Sequence, residues 1–124
     1  MKFLVVDDSP TMRRIMINSL KGIGFEDVIE AGDGEEAFGM LGKNTVDFII
    51  TDWNMPNMTG IDLTKKIRTT DEMKNIPIIM VTTRGQKEDI LQALKANVNN
   101  FIVKPFTPQI LREKIAAVLK GMKN

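Results

Sequence analysis

Cysteine and histidine are both absent from the 124 residues. Their absence excludes disulfides, zinc sites with the usual ligands, thiol nucleophiles and histidine general bases. Any metal must then be held by oxygen, a preference of Mg²⁺, Mn²⁺ and Ca²⁺. Long apolar runs are missing too: no segment approaches the roughly 18 residues of a membrane span. The stretch Met1 to Asp8 has too short an apolar region for a signal peptide and runs straight into acid, so a cytoplasmic address is expected. Neither sign of charge dominates. Lys plus Arg is 17 and Asp plus Glu is 16, a net +1, which gives no case for nucleic acid or a membrane surface as partner. Sequence-level internal repeats, linkers and low-complexity tracts are also absent, and the length suits one domain, residues 1–124, able to bury a single core.

What is present is a series of short apolar runs, each ending in polar chemistry. Phe3-Leu4-Val5-Val6 ends in Asp7-Asp8, Phe48-Ile49-Ile50-Thr51 in Asp52, Ile78-Ile79-Met80-Val81 in Thr82-Thr83, and Phe101-Ile102-Val103 in Lys104-Pro105. They lack clean period-2 alternation, as strands covered on both faces do. A weaker fifth strand is read at residues 27–31.

Helical segments fall between the runs. Ser9 is a cap and Pro10 a first helical residue, with Met12, Ile15, Met16, Ser19 and Leu20 as an inner stripe that Gly22 and Gly24 terminate. Asp33-Gly34-Glu35-Glu36 resembles a capping box, opening a helix that turns Ala37, Phe38 and Leu41 inward. Thr59 with Asp62 opens a third helix, running to about Arg68. Residues 86–96 make a fourth, with Ile90, Leu91 and Leu94 on one face. Thr107-Pro108 opens a fifth, where Ile110, Leu111, Ile115, Val118, Leu119 and Met122 keep helical spacing.

Five β-α repeats predict an α/β fold, an open five-stranded parallel sheet with five helices distributed over both faces. The expected strand order is the flavodoxin-like 2-1-3-4-5, whose switch point lies between the first and third strands. Asp7, Asp8 and Asp52 then crowd together at the carboxyl edge. Their mutual repulsion is what a divalent cation relieves, and Mg²⁺ commonly shares phosphate oxygens. Lys104 can reach along the same edge toward Asp52, and Thr82 brings a hydroxyl. A cation, an ammonium and a hydroxyl around one carboxylate make a phosphoryl-binding site, with Asp52 the central nucleophile. Taken singly, Asp7-Asp8 reads equally as a capping loop, Lys104 as a solvated lysine and Thr82 as an ordinary strand residue. Lys104-Pro105 is a turn in which a cis bond is admissible.

The motifs Val5-Val6-Asp7-Asp8, Thr51-Asp52-Trp53-Asn54-Met55-Pro56, Met80-Val81-Thr82 and Val103-Lys104-Pro105-Phe106 together resemble two-component response-regulator receiver domains. The resemblance covers the whole chain. Asp8-Ser9-Pro10-Thr11-Met12-Arg13-Arg14-Ile15 and Trp53 are similar to the family's single-domain chemotaxis regulators. This resemblance implies that Asp52 accepts a phosphoryl group from a kinase phosphohistidine. It implies that Asp7, Asp8 (mainly Asp8), Asp52 and the Asn54 carbonyl hold Mg²⁺, and that Thr82 and Lys104 bind the phosphoryl oxygens. It further implies a chemotaxis histidine kinase and a flagellar motor switch protein as partners, a monomeric state, and no turnover beyond self-catalysed phosphoryl transfer and autodephosphorylation. Whether a phosphatase assists is left open.

In that family the threonine moves inward on phosphorylation and an aromatic on the fifth strand follows. The aromatic maps to Phe101, where relatives often carry Tyr; Phe fills the space but donates no hydroxyl hydrogen bond. The output face carried over by position includes Lys87, Ile90, Leu94, Phe101 and Lys114. From sequence alone Phe101 fits plain core packing as well, and the two lysines fit solvated charges. Arg84 stands where the family tunes dephosphorylation, and also reads as a loop charge. Trp53 is either loop packing or a partner contact.

Two other functions share this fold logic. A Mg²⁺-dependent phosphohydrolase with an aspartyl nucleophile needs a second Asp two residues on, and that position is Asn54. A flavin carrier needs a phosphate loop rich in Gly, Ser and Thr after the first strand, where Asp7-Asp8 would repel the phosphate.

Overall fold

A computed structural model describes residues 1–83 and 85–122. The chain alternates strictly: β1 (Phe3–Val6), α1 (Pro10–Gly22), β2 (Val28–Ala31), α2 (Gly34–Leu41), β3 (Phe48–Asp52), α3 (Gly60–Arg68), β4 (Ile78–Thr82), α4 (Lys87–Lys95), β5 (Asn100–Val103) and α5 (Pro108–Gly121). All strand pairs are parallel, as the repeat pattern predicts, and the order is the expected flavodoxin-like β2-β1-β3-β4-β5. No helix among the described residues is long and apolar enough to cross a membrane.

Each strand presents alternate residues to two cores. Leu4, Val6, Ile49, Ile78 and Met80 meet Ala37 and Leu41 of α2, Ile61, Leu63 and Ile67 of α3, and Ala93 of α4. Phe3, Val5, Phe48, Ile50, Ile79, Val81 and Ile102 meet Met16 and Leu20 of α1 and Leu111, Ile115 and Val118 of α5. A sheet buried on both faces explains why its strands read as unbroken apolar runs.

The helix starts follow their caps. Ser9 accepts from Met12 N–H, Asp33 from Glu36 N–H, Thr59 from Asp62 N–H and Thr107 from Ile110 N–H. The α2 start departs from a strict capping box: the Glu36 carboxylate accepts from Gly32 N–H, one residue before the cap. Gln86 precedes α4 without a side-chain cap bond.

One inward assignment, on α1, is corrected. Ile15, placed in the inner stripe of α1, is 46% exposed, while Ile17 packs against the core. Both lie about 100° from Met16, on opposite flanks, so periodicity cannot choose between them. On α4 the core residue is Ala93; Ile90 is half-buried, and Leu91 and Leu94 are exposed. On α5 Ile110 and Met122 keep the spacing yet stay exposed, since the two-turn stripe Leu111-Ile115-Val118 already fills the contact. Arg84 lies outside the described residues.

Candidate functional site

The parallel register decides which strand ends meet. Val6 pairs with Thr51, Asp52 with Val81, and Thr82 with Val103. The residues just past these pairs, Asp7 and Lys104, therefore flank Asp52 at the carboxyl edge. Asp52 itself is the last residue of β3 and not the first beyond it, so strand hydrogen bonding holds its backbone.

The carboxylates of Asp7, Asp8 and Asp52 each offer an oxygen within 4.8 Å of the others. Asp7 is buried, Asp52 half-buried and Asp8 exposed, a graded path from core to solvent. Lys104 Nζ stands between the two inner acids, 3.3 Å from Asp7 Oδ2 and 3.4 Å from Asp52 Oδ1. The lysine expected to reach Asp52 is thus shared with Asp7. Its peptide bond to Pro105 is cis.

Asp7 is tied from several sides. Its N–H donates to the Ala31 carbonyl, its Oδ1 accepts from Ser9 N–H, and its carbonyl accepts from Arg13 Nη1. Asp52 is held less. Both hydrogen bonds to its carboxylate, from Trp53 N–H and from Lys104, fall on Oδ1, and among the described residues none falls on Oδ2. Burial pushes the Asp52 carboxyl above its ordinary value; Lys104 pulls it back, and the nearby Asp7 charge adds to the rise. A half-buried carboxylate whose second oxygen accepts no hydrogen bond from the described residues, with three charges beside it, can either ligate a hard cation or attack phosphorus.

Glycine makes room for this edge. A Cβ on Gly60, the first residue of α3, would collide with the Asp52 carbonyl oxygen, and Gly60 N–H donates to the Trp53 carbonyl. A Cβ on Gly34 would come within 2.8 Å of Met58. Opposite it, Asn57, at φ 68°, donates to Asp33 Oδ2 and ties the loop after β3 to the start of α2.

The remaining predicted residues are distributed as follows. Thr82 is buried at the end of β4 and its carbonyl accepts from Lys104 N–H. Asn54 is exposed in the loop between β3 and α3. Trp53 is 4% exposed and belongs to the core, which makes it loop packing. On the α4-β5-α5 face Lys87 and Leu94 are exposed and Phe101 is half-buried. Lys114 is no freely solvated lysine: its ammonium lies 5.2 Å from the Phe101 ring centroid and 3.4 Å from Asn100 Oδ1. Leu91, Leu94, Val103 and Ile110 are all at least 40% exposed, an apolar surface that sequence reading had assigned only in part.

Sequence reasoning missed three contributors. Met12 and Phe106 line the pocket beside Asp7, Asp52 and Lys104. Arg13 touches the backbone of the acidic turn. Helical spacing hid Met12 among core residues, and an arginine at a helix start carries no signal of what it meets.

Residues 3–116 match the response regulator receiver domain family, and the chain belongs to that family. It is 58% identical over 120 residues to chemotaxis protein CheY1 of Helicobacter pylori, covering 96% of this chain and 97% of that protein. It is equally 58% identical over 120 residues to the chemotaxis protein CheY homolog of Campylobacter jejuni, covering 96% of this chain and 92% of the relative. The solved structure of the chemotaxis response regulator CheY4 of Vibrio cholerae superposes with a TM-score of 0.87 at 37% identity, over 94% of this chain and 97% of that one.

Proposed function

We propose that this protein is a phosphorylation-switched regulator of chemotaxis, a single receiver unit over residues 1–124 that takes a phosphoryl group on Asp52 from a histidine kinase. The observation that carries the reading is the Asp7-Asp8-Asp52 cluster with Lys104 bridging its two inner members, in a chain 58% identical to chemotaxis proteins.

The donor set suits Mg²⁺. Three carboxylates within one ion's reach are hard oxygen ligands, and the Lys104 ammonium ion-pairs with only the two inner ones. Asp7, Asp8, Asp52 and the Asn54 carbonyl would hold the ion, with Asp8, the most exposed, as the principal ligand. When bound it neutralises charge on the phosphoryl oxygens.

The chain's own residues then divide the work. An Asp52 oxygen bonds to phosphorus as the bond from phosphorus to the donor's imidazole nitrogen breaks, and the electron pair leaves with the imidazole. Lys104 moves from its carboxylate pair toward the incoming phosphoryl oxygens, and the Thr82 hydroxyl binds another. Rearrangement at Thr82 and Phe101 alters the face made by Lys87, Ile90, Leu94, Phe101 and Lys114. The altered face binds the flagellar motor switch protein as partner. A monomer working in the cytoplasm accords with this role. The protein performs no turnover on a separate substrate. Asn54 has no acidic proton to give a leaving group, which counts against a phosphohydrolase.

The test is incubation with Mg²⁺ and a small-molecule phosphodonor, followed by intact mass. One phosphoryl group should add to the wild type and none to Asp52→Asn. Undiminished labelling of the variant would overturn the assignment.

A further inference from the structure

Arg13 sits one turn into α1, and helical side chains lean toward the N-terminus, so its guanidinium reaches back over the turn that follows β1. Nη1 donates to the Asp7 carbonyl at 2.7 Å, and Nε donates to Glu30 Oε1 at 2.7 Å. Glu30 lies on β2, opposite Val5 of β1. The Arg13 side chain is 18% exposed against 51% for Glu30, so the charge on the buried side of the pair belongs to the arginine.

The contact falls on a particular group. The Asp7 carbonyl belongs to the peptide unit joining Asp7 to Asp8, and that unit is planar. Holding its oxygen fixes the plane, and the plane sets the direction in which the Asp8 chain leaves. Asp7 is anchored independently through its N–H, through Ser9 N–H and through Lys104. Asp8 is exposed, and among the described residues no contact comparable to those of Asp7 orients its carboxylate. A planar fork with two donors in fixed relation suits the task, since one arm is secured by Glu30 while the other holds the carbonyl.

We propose that Arg13, braced by Glu30, is a positioning residue that fixes the Asp7–Asp8 peptide and so aims the Asp8 carboxylate into the cation-binding cluster. This rests on the reading of that cluster as a Mg²⁺ site. Outer contacts that orient metal ligands are commonly worth about tenfold or more in metal affinity.

The sign of the effect separates positioning from simple electrostatics. Removing a cation beside three carboxylates strengthens Mg²⁺ binding by Coulomb attraction alone. Losing a brace weakens it. Mg²⁺ is titrated against Trp53 fluorescence in the full chain, for wild type, Arg13→Ala, Arg13→Lys and Arg14→Ala. Urea unfolding in EDTA is measured alongside. Arg13→Ala should bind about tenfold more weakly. Arg13→Lys, which keeps the charge and can serve only one acceptor, should fall between it and wild type. Arg14→Ala, which removes an exposed charge from the same helix, should bind no more weakly than wild type. Wild-type affinity in Arg13→Ala, or in Arg13→Lys should the alanine variant not fold, overturns the proposal. So does lower stability in EDTA with unchanged Mg²⁺ affinity, the mark of a merely structural contact. A wild type with no saturable Mg²⁺ response would overturn the metal site itself, and the positioning role with it.

Discussion

Asp52 pairs two conditions that oppose each other: burial, which disfavours its charge, and Lys104, which favours it. Burial is the larger, so its folded-state pKa lies above the unfolded value. A raised acid pKa means that the native state binds protons more tightly than the unfolded chain. Native stability is therefore lost as pH climbs from the unfolded value of about 3.8 through the folded one, and the loss is complete above it. Asp52→Asn, which cannot ionise, should be more stable than wild type in EDTA at neutral pH, and the gap should close in acid. Urea unfolding across the pH range reads this; a gap constant with pH would assign the effect to packing. Mg²⁺ acts in the other direction. Binding only the native site, it should add about 2.7 kcal/mol at 100 times its dissociation constant. Trp53 is buried and its backbone N–H donates to Asp52 Oδ1, so its fluorescence should report the ion. A saturable change on Mg²⁺ titration is expected, and a flat response would separate the indole from the site.

Among the elements, α3 is the one whose approach constrains the site most. Its first residue lies so close to the Asp52 carbonyl that no side chain fits. Gly60→Ala should cost about 1–3 kcal/mol in urea unfolding, because the obstructing atom is backbone and cannot rotate away. It should also shift Trp53 emission, since Gly60 N–H holds the Trp53 carbonyl. An unchanged unfolding midpoint would show that α3 slides without disturbing β3. The strand and helix elements themselves were legible in the sequence. Apolar runs marked the strands within a residue or two, and Ser9, Asp33, Thr59 and Thr107 marked the starts of α1, α2, α3 and α5. Legibility failed on helix flanks. Ile15 and Ile17 are equivalent by periodicity, and only the neighbours of α1 distinguish them.

For the molecule as a whole, the acidic edge and the α4-β5-α5 face are separate surfaces that phosphorylation is proposed to connect. Lys104 belongs to the first: it contacts both inner carboxylates at the edge. Lys104→Ala should keep its Mg²⁺ response, having lost a competing cation. It should accept phosphoryl about 100-fold more slowly, a size typical of losing one donor to developing charge. Its affinity for a flagellar motor switch peptide should not rise on adding a phosphodonor. If it rises as in wild type, the lysine is not the link between the two surfaces.

The linear chain by itself determined the repeat, the parallel sheet and the carboxylates at the strand ends. These follow from where apolar runs stop, and a run long enough to cross a buried sheet must stop at its rim. It also determined that a metal at the strand ends must be a hard one bound by oxygen, because cysteine and histidine are absent and the residues there are carboxylates. Tertiary structure alone decided that Lys104 divides itself between Asp7 and Asp52, that Lys114 lies over Phe101, and that Arg13 grips the Asp7 carbonyl. Long cationic side chains have many rotamers and several acceptors within reach. Which one they meet depends on register and helix rotation together, and neither is written at any single position of the chain.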